Sequence, residues 1–164
     1  MAELGYDGKV AIITGAGGGL GRQHALLLAR RGALVVVNDL GGSIDGVGTD
    51  ASAAQKVVDE IKAAGGEAVA DTNSVSTPEG GAAIVAGAVK AFGRVDIVIN
   101  NAGILRDKSF HNMDPSLMNP VFDVHLKGAF HVTQPAFVLM REQGYGRIVS
   151  TSSAAGIFGN FGQA

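Results

Sequence analysis

The chain of 164 residues contains no cysteine, which excludes a disulfide framework and a metal site built on thiolates. Only 17% of its residues are charged, its net charge is −2, and it has no run of basic residues. We therefore expect it to bind neither nucleic acid nor a membrane surface. The chain also lacks a bilayer-length apolar run and the basic-then-apolar start of a signal peptide. These absences predict a soluble intracellular protein located in the cytoplasm.

Three enzyme classes are disfavoured by motifs that the chain lacks. The four histidines are scattered without a His-Glu-x-x-His pattern, so we predict no metal site. No serine lies within Gly-x-Ser-x-Gly, the elbow of many hydrolases. A phosphate-binding P-loop is disfavoured because Arg22 follows the glycines where that motif needs lysine.

Glycine, by contrast, is abundant, and its most informative cluster is Thr14-Gly15-Ala16-Gly17-Gly18-Gly19-Leu20-Gly21. An apolar run precedes this cluster, apolar residues at helical spacing follow it, and a second apolar run then ends in Asn38-Asp39. This order of strand, glycine turn, helix, strand and acid is typical of a dinucleotide site. A glycine-rich surface turn is the alternative interpretation.

Each part of this pattern has a physical role at such a site. The first N–H groups of the helix lack intrahelical partners and attract a pyrophosphate. Glycine at positions 15, 19 and 21 keeps side chains away from the phosphates. The carboxylate of Asp39 can accept hydrogen bonds from both ribose hydroxyls and would repel a 2′-phosphate, and Leu40 rather than arginine follows it. The pattern therefore predicts NAD as the cofactor rather than NADP.

Strand and helix patterns alternate along the whole chain, which predicts an α/β fold. We expect a Rossmann-type doubly wound parallel sheet in a single domain spanning residues 1–164. The predicted strands cover residues 10–13, 33–37, 67–70, 95–99 and 147 to about 151. Helix starts are expected at Asp50 or Ser52, at Ser76 or Thr77, and at Asp114. Pro120 and Pro135 predict a break or kink in the last long helical stretch.

Small and polar residues follow every predicted strand, and ligands of such sheets bind at the carboxyl ends of the strands. The segments concerned are the glycine cluster, Asp39, Asn73-Ser74-Val75, Asn100-Asn101-Ala102-Gly103 and Ser152-Ser153. We expect these segments to line one ligand. An ordinary asparagine–glycine turn is the alternative for residues 100–103.

The glycine cluster and Asn100-Asn101-Ala102-Gly103 together resemble the short-chain dehydrogenase/reductase family. Within it, the segments at 37–42, 102–107 and 156–164 resemble the 3-hydroxyacyl-CoA dehydrogenases of peroxisomal multifunctional enzymes and their bacterial relatives. The resemblance implies an NAD-dependent oxidoreductase that transfers a hydride between NAD and a secondary alcohol or ketone. A 3-hydroxyacyl-CoA is the candidate substrate, and the peroxisome becomes an alternative location.

The resemblance also implies roles for individual residues. Ser153 matches the catalytic serine that hydrogen-bonds the reacting oxygen, and Asn101 matches a residue on the adenosine side of the cofactor. Ser74 and Val75 match residues that flank the adenine, and Leu20 joins Gly19 at the pyrophosphate. Ala102 and Gly103 complete the cofactor set.

Two positions depart from the family's usual pattern. His125 stands where the family usually has an active-site asparagine. It is either a catalytic residue or a helix histidine held by local hydrogen bonds, and the sequence favours neither interpretation. Asn73-Ser74 stands where the family usually has aspartate before the valine.

The family's Tyr-x3-Lys pair would come after Ala164, and Tyr6 and Tyr145 lie in the wrong places to replace its tyrosine. We therefore expect a fold truncated after the fifth strand, with an apolar sheet edge, as the N-terminal part of a longer enzyme. A non-catalytic nucleotide-binding module is the alternative function. The expected partners are a small-molecule substrate and further copies of the chain. The resemblance implies a homodimer or homotetramer whose contacts include the helical stretch of residues 114–140.

Overall fold

The computed structural model describes residues 4–43, 45–48 and 50–163. It contains a parallel five-stranded sheet with the strand order β3-β2-β1-β4-β5. The strands are β1 (Val10–Thr14), β2 (Leu34–Asn38), β3 (Glu67–Asp71), β4 (Ile97–Asn100) and β5 (Arg147–Ser150). The α-helices are α1 (Gly19–Arg30), α2 (Ser52–Ala63), α3 (Pro78–Phe92), α4 (Pro115–Phe122), α5 (Gly128–Gln143) and α6 (Ala154–Phe158), and a 3-10 helix covers Phe110–Asn112. The predicted Rossmann-type fold is confirmed, and the strand order reverses between β1 and β4.

Two apolar layers cover the central strands of the sheet, because these strands are apolar at both odd and even positions. Ala11 and Ile13 of β1 belong to the layer that includes residues of α1 and α2. Val10 and Ile12 belong to the other layer, together with residues of α3 and α5. Every residue of β1 is therefore buried.

Two of the three predicted helix starts agree with the caps that the structure shows, whereas α2 has Ala51 at its N-cap position and no side-chain cap. The side chain of Thr77 accepts a hydrogen bond from the N–H of Gly80, and Pro78 is the first residue of α3. Asp114 likewise accepts from the N–H of Ser116 at the start of α4. Such side-chain acceptors satisfy N–H groups that have no partner within the helix.

The fourth strand starts later than predicted, at Ile97 rather than Val95. The backbone of Val95 forms hydrogen bonds with the side chain of Gln143 instead of with a neighbouring strand. Its N–H donates to Oε1 of Gln143 at 3.2 Å, and its carbonyl accepts from Nε2 of the same residue at 2.6 Å.

The sequence predicts a break or kink at Pro120 or Pro135, but the helical backbone continues through Pro120 and changes to a π-helical turn three residues later. Five residues, Asp123–Lys127, form a π-helical turn between α4 and α5. Proline removes a backbone donor from the regular hydrogen-bond ladder, and a single π turn is one way in which a helix accommodates such a disturbance. Pro135 lies inside α5, which continues without interruption.

Asp96 holds together the amino ends of the strands, on the side of the sheet away from their carboxyl ends. This buried carboxylate accepts hydrogen bonds from the N–H of Val10 at 3.0 Å and from Arg94 at 2.7 Å, and Lys9 lies 3.6 Å away. Burial alone would raise the pKa of Asp96, but the Arg94 and Val10 hydrogen bonds and the charges of Arg94 and Lys9 lower the pKa overall. Tyr145 lies on the same side beneath Lys9 and Arg147, consistent with a packing role.

The outer strand β5 forms the apolar edge that the sequence predicts. All four of its residues are exposed, including Ile148 at 41% and Val149 at 51% of their surface. Within the described residues, no helix combines the length and apolarity needed to cross a membrane.

Candidate functional site

A cavity of about 770 Å³ lies at the carboxyl ends of the strands, where the strand order reverses. Its walls come from the segments that follow β1, β2, β3 and β4. This volume is in the range of small-molecule and cofactor sites, and the position is the one at which open α/β sheets bind ligands.

The N-terminus of α1 borders this cavity without a side-chain cap. Gly18 at the N-cap position offers no side-chain acceptor, and the first turn of α1 contains no acidic residue. The first N–H groups and the positive end of the helix dipole therefore remain available for an anionic group such as a pyrophosphate.

Gly21 shows why the turn needs glycine. A Cβ atom at this position would overlap the carbonyl oxygen of Gly15 and crowd the side-chain amide of Asn101. Gly21 therefore permits the close packing of α1 against the glycine turn, and it is not part of the cavity lining.

Asp39 is oriented by backbone donors on two sides. Its Oδ2 accepts from the N–H of Gly17 and its Oδ1 from the N–H of Gly41, each at 2.7 Å. Each carboxylate oxygen can accept a further hydrogen bond. The side chain lines the cavity, so its remaining acceptor capacity suits the two hydroxyls of a ribose.

Thr14 joins the glycine turn to the segment after β4. Its Oγ1 accepts from the N–H groups of Asn101 and Ala102, both at 3.0 Å. Nδ2 of Asn101 in turn donates to the carbonyls of Thr14 and Gly15, each at 3.0 Å. This role of Thr14 was not predicted, although its place directly before Gly15 was the available signal.

Asp71 is a second residue that the sequence analysis missed. Its carboxylate accepts from the backbone N–H of Asn73 at 2.9 Å and from the side chains of Asn73 and Asn38, both at 2.8 Å. This network orients the segment in which Ser74 and Val75 line the large cavity. Asn73, the departure from the family pattern, is thus tied to the end of β3.

A smaller cavity of about 160 Å³ contains both predicted catalytic residues. Ser153 and His125 line it, and it shares Val75, Asn101 and Ala102 with the wall of the large cavity. Oγ of Ser153 accepts from the N–H of Ala155 at 3.2 Å and retains its own proton for donation. Among the described residues, no donor or acceptor reaches the buried Oδ1 of Asn100 beside this cavity, which suits a polar occupant.

His125 belongs to the π-helical turn and contacts the segment after β4. Its Nε2 lies 3.0 Å from the backbone nitrogen of Ile104 and 2.9 Å from the carbonyl oxygen of the same residue. A single ring nitrogen can serve only one of these partners at a time, as an acceptor or as a donor. His125 can therefore hold the backbone of Ile104 whether its Nε2 accepts or donates the hydrogen bond. Participation of His125 in proton transfer stays a prediction.

The structure brings the predicted site residues together in these two adjoining cavities. The large cavity is lined by Gly15, Gly19, Leu20, Asp39, Ser74, Val75, Asn101, Ala102 and Gly103. Gly21 is not part of this lining, and Ser153 and His125 lie in the small cavity. The described residues contain no group of acidic, histidine or cysteine side chains suited to hold a metal ion.

The family described as short chain dehydrogenase matches residues 9–164. The chain belongs to this family. It is 61% identical to the peroxisomal multifunctional enzyme type 2 of Drosophila melanogaster over 161 residues, which cover 98% of this chain and 26% of that enzyme. This chain thus spans about a quarter of that relative's length.

Solved structures show the same likeness. A short chain dehydrogenase from Mycobacterium avium superimposes with a TM-score of 0.86 at 48% identity, over 96% of this chain and 58% of that one. A 7α-hydroxysteroid dehydrogenase complexed with NADH and 7-oxo glycochenodeoxycholic acid gives a TM-score of 0.85 at 35% identity, over 95% of this chain and 57% of that one. The family and this NADH complex suggest a nicotinamide cofactor for the large cavity.

Proposed function

We propose that residues 1–164 form the N-terminal, NAD-binding part of a short-chain dehydrogenase. The whole enzyme would transfer a hydride between NAD and a secondary alcohol or ketone. The observation that supports this most strongly is the convergence of three features on one cavity: the uncapped N-terminus of α1, the close-packed glycine turn and the carboxylate of Asp39. Together they suit the pyrophosphate and ribose of a dinucleotide.

NAD is the proposed cofactor rather than NADP. Asp39 would be close to a 2′-phosphate on the ribose and would repel it. Arg106 is a basic side chain in the wall of the cavity, but it follows β4, whereas Asp39 follows β2. This arrangement favours a ribose with two free hydroxyls.

The proposed roles follow the position of each residue. Gly15, Gly19 and Leu20 would hold the pyrophosphate, and Gly21 would allow this turn to pack closely against α1. Asp39 would hold the adenosine ribose, and the remaining cofactor contacts would come from Ser74, Val75, Asn101, Ala102 and Gly103.

In the small cavity, the hydroxyl of Ser153 would donate a hydrogen bond to the reacting oxygen. His125 would position the segment after β4 through Ile104. Bound NAD supplies a hydride acceptor at its nicotinamide ring.

A 3-hydroxyacyl-CoA is the proposed substrate, and the names of the relatives support it. A hydroxyacyl-CoA dehydrogenase of Mycobacterium tuberculosis is 44% identical over 170 residues. The relatives named peroxisomal also support the peroxisome as an alternative to the cytoplasm.

We also propose that the chain self-associates through α4, the π-helical turn and α5. This surface exposes Phe122, Leu126, Phe130 and Phe137, each by 48% or more. Contact with a second copy would remove these apolar side chains from water.

Calorimetric titration of the 164-residue chain with NADH and with NADPH tests the cofactor assignment. We expect NADH to bind at least about tenfold more tightly because Asp39 repels the 2′-phosphate. Gly21→Val serves as the matched negative variant, since its side chain would overlap Gly15. Absence of heat with either coenzyme on folded protein would contradict the proposal.

The reaction itself is tested with the complete polypeptide that contains this chain. We expect NADH absorbance to appear when NAD and a 3-hydroxyacyl-CoA are supplied together. Ser153→Ala should lower kcat by about 100-fold because the reacting oxygen loses a positioned donor. Cofactor binding without turnover on any alcohol would favour a non-catalytic nucleotide-binding module.

A further inference from the structure

Two loops from non-adjacent strands meet above the glycine turn. Gly46 lies in the loop after β2, and Ile104 lies in the segment after β4. In the sheet, β1 separates these two strands, so their ends are about 10 Å apart, twice the spacing of neighbouring strands. A contact between the two loops must therefore pass over the end of β1, where the glycine turn begins.

The structure shows this contact directly. A Cβ atom added to Gly46 would lie 2.9 Å from Cγ2 and 3.2 Å from Cδ1 of Ile104. The backbone of Gly46 thus packs against the isoleucine side chain. Both residues also line the large cavity.

Each side of the contact is restrained. Gly46 has a φ of 70°, a conformation that residues with a side chain rarely adopt, and its N–H donates to the carbonyl of Ser43 at 2.8 Å. The backbone of Ile104 is held by Nε2 of His125. The contact therefore joins a turn on one wall to the π-helical turn behind the other wall.

We infer that Gly46 and Ile104 form a bridge over the dinucleotide cavity and retain the bound cofactor by closing its exit. This inference rests on the proposed NAD-binding function. A dinucleotide that spans from Asp39 to the small cavity would pass beneath the bridge, between the two loops and the glycine turn. Its release then requires Gly46 and Ile104 to separate, so the contact governs the dissociation rate of the cofactor.

The test compares NADH dissociation from four variants of the 164-residue chain, measured by stopped-flow fluorescence with excess NAD as competitor. Gly46→Ala would displace Ile104 and Ile104→Ala would remove the contact, so each should raise the dissociation rate about five- to tenfold. Gly48→Ala is the matched control, because Gly48 has a similar φ of 78° but no atom within 4 Å of an added Cβ. It introduces the same backbone strain and should raise the rate much less.

The double variant Gly46→Ala/Ile104→Ala decides whether the two residues act through one contact. Without the isoleucine side chain, the added methyl group has room, so the double variant should dissociate NADH no faster than Ile104→Ala alone. Thermal unfolding of each ligand-free variant checks that the fold is retained. Equal effects of Gly46→Ala and Gly48→Ala, or additive effects in the double variant, would overturn the bridge while leaving NAD binding intact. Failure of the unmodified chain to bind NADH would overturn both the bridge and the proposed function.

Discussion

Strands β1 and β5 both carry apolar β-branched residues at their centres, but these residues have opposite environments. All five residues of β1 are buried, whereas all four residues of β5 are exposed. The difference comes from their neighbours: β1 pairs with strands on both sides and is covered by helices on both faces, while β5 pairs with β4 and with no other strand among the described residues. For isoleucine and valine in this fold, burial thus depends on the position of the strand in the sheet.

The two halves of the candidate site follow the same contrast. The glycine turn and Asp39 extend directly from the buried strands β1 and β2, and hydrogen bonds orient them. Ser153 follows the exposed strand β5, and its hydroxyl caps the five-residue helix α6. The proposed cofactor side is therefore preorganised by these residues to a greater degree than the proposed substrate side.

The same substitution in the two strands should give the largest contrast. Ile12→Ala removes a fully buried side chain from β1 and should lower the free energy of unfolding by about 3 kcal/mol. Ile148→Ala in β5 should cost less than about 1 kcal/mol because that side chain is already 41% exposed. Urea unfolding with unchanged slopes measures both values. Equal losses would show that β5 is as well packed as β1.

Substitution of the buried Asp96, at the amino ends of the strands, should give the next largest loss of stability. Asp96→Asn should lower the free energy of unfolding by about 2 kcal/mol at neutral pH, since Arg94 and the N–H of Val10 lose a charged acceptor. NADH affinity should stay within about twofold, because Asp96 lies at the edge of the sheet opposite the cavity.

The pH dependence of this loss has a definite sign. The pKa of Asp96 is lower in the folded chain than its ordinary value, so its stabilisation is complete above the unfolded pKa and disappears as the pH falls through the folded pKa. The difference between the original chain and Asp96→Asn should therefore be constant above about pH 5 and shrink below about pH 4. A difference that grew on acidification would contradict the lowered pKa.

On the cofactor side, Asp39→Asn should weaken NADH binding about tenfold, or about 1.4 kcal/mol, because the ribose loses a charged acceptor. The preference for NADH over NADPH should narrow at the same time, since the repulsion of the 2′-phosphate disappears. Asp45→Asn is the control: it makes the same charge change on an exposed residue of the same loop. Titration with both coenzymes measures the effect, and equal losses in the two variants would assign it to net charge.

The smallest change in stability is expected on the exposed face of α5. Phe130→Ser should alter the free energy of unfolding of the monomer by less than about 0.5 kcal/mol, because 67% of this side chain is already exposed. It should nevertheless weaken self-association, which light scattering over a range of concentrations would detect. Leu27→Ser on α1 is the control outside the proposed contact surface. If both variants retain the original oligomeric state, another surface holds the copies together.

The fold could be predicted largely because its signals are local. The run from Val10 to Asp39 contains a strand, a glycine turn, a helix and a second strand, and each has its own pattern within a few residues. Thr77-Pro78 and Asp114-Pro115 likewise marked two helix starts correctly. The predicted start of β4 was wrong because the backbone of Val95 is hydrogen-bonded to the side chain of Gln143, a residue 48 positions away.

The candidate site could be predicted only in part for the same reason. Residues directly after the strands were assigned to the ligand, and the structure places them around the two cavities. The contact between Gly46 and Ile104 depends on the conformations of two loops, and no sequence pattern links positions so far apart. The hydrogen bonds of Asp71 also went unpredicted, because an aspartate at a strand end is equally compatible with solvent.

The hydroxyl of Thr14 has a consequence for how a large ligand enters. Because one oxygen holds the backbone of both Asn101 and Ala102, the ends of β1 and β4 cannot separate without losing two hydrogen bonds at once. The ends of β1 and β4 therefore move as one rigid unit. A dinucleotide would then enter through movement of the loop that follows β2. Substitutions in that loop should change the rate of coenzyme exchange more than the orientation of the bound coenzyme.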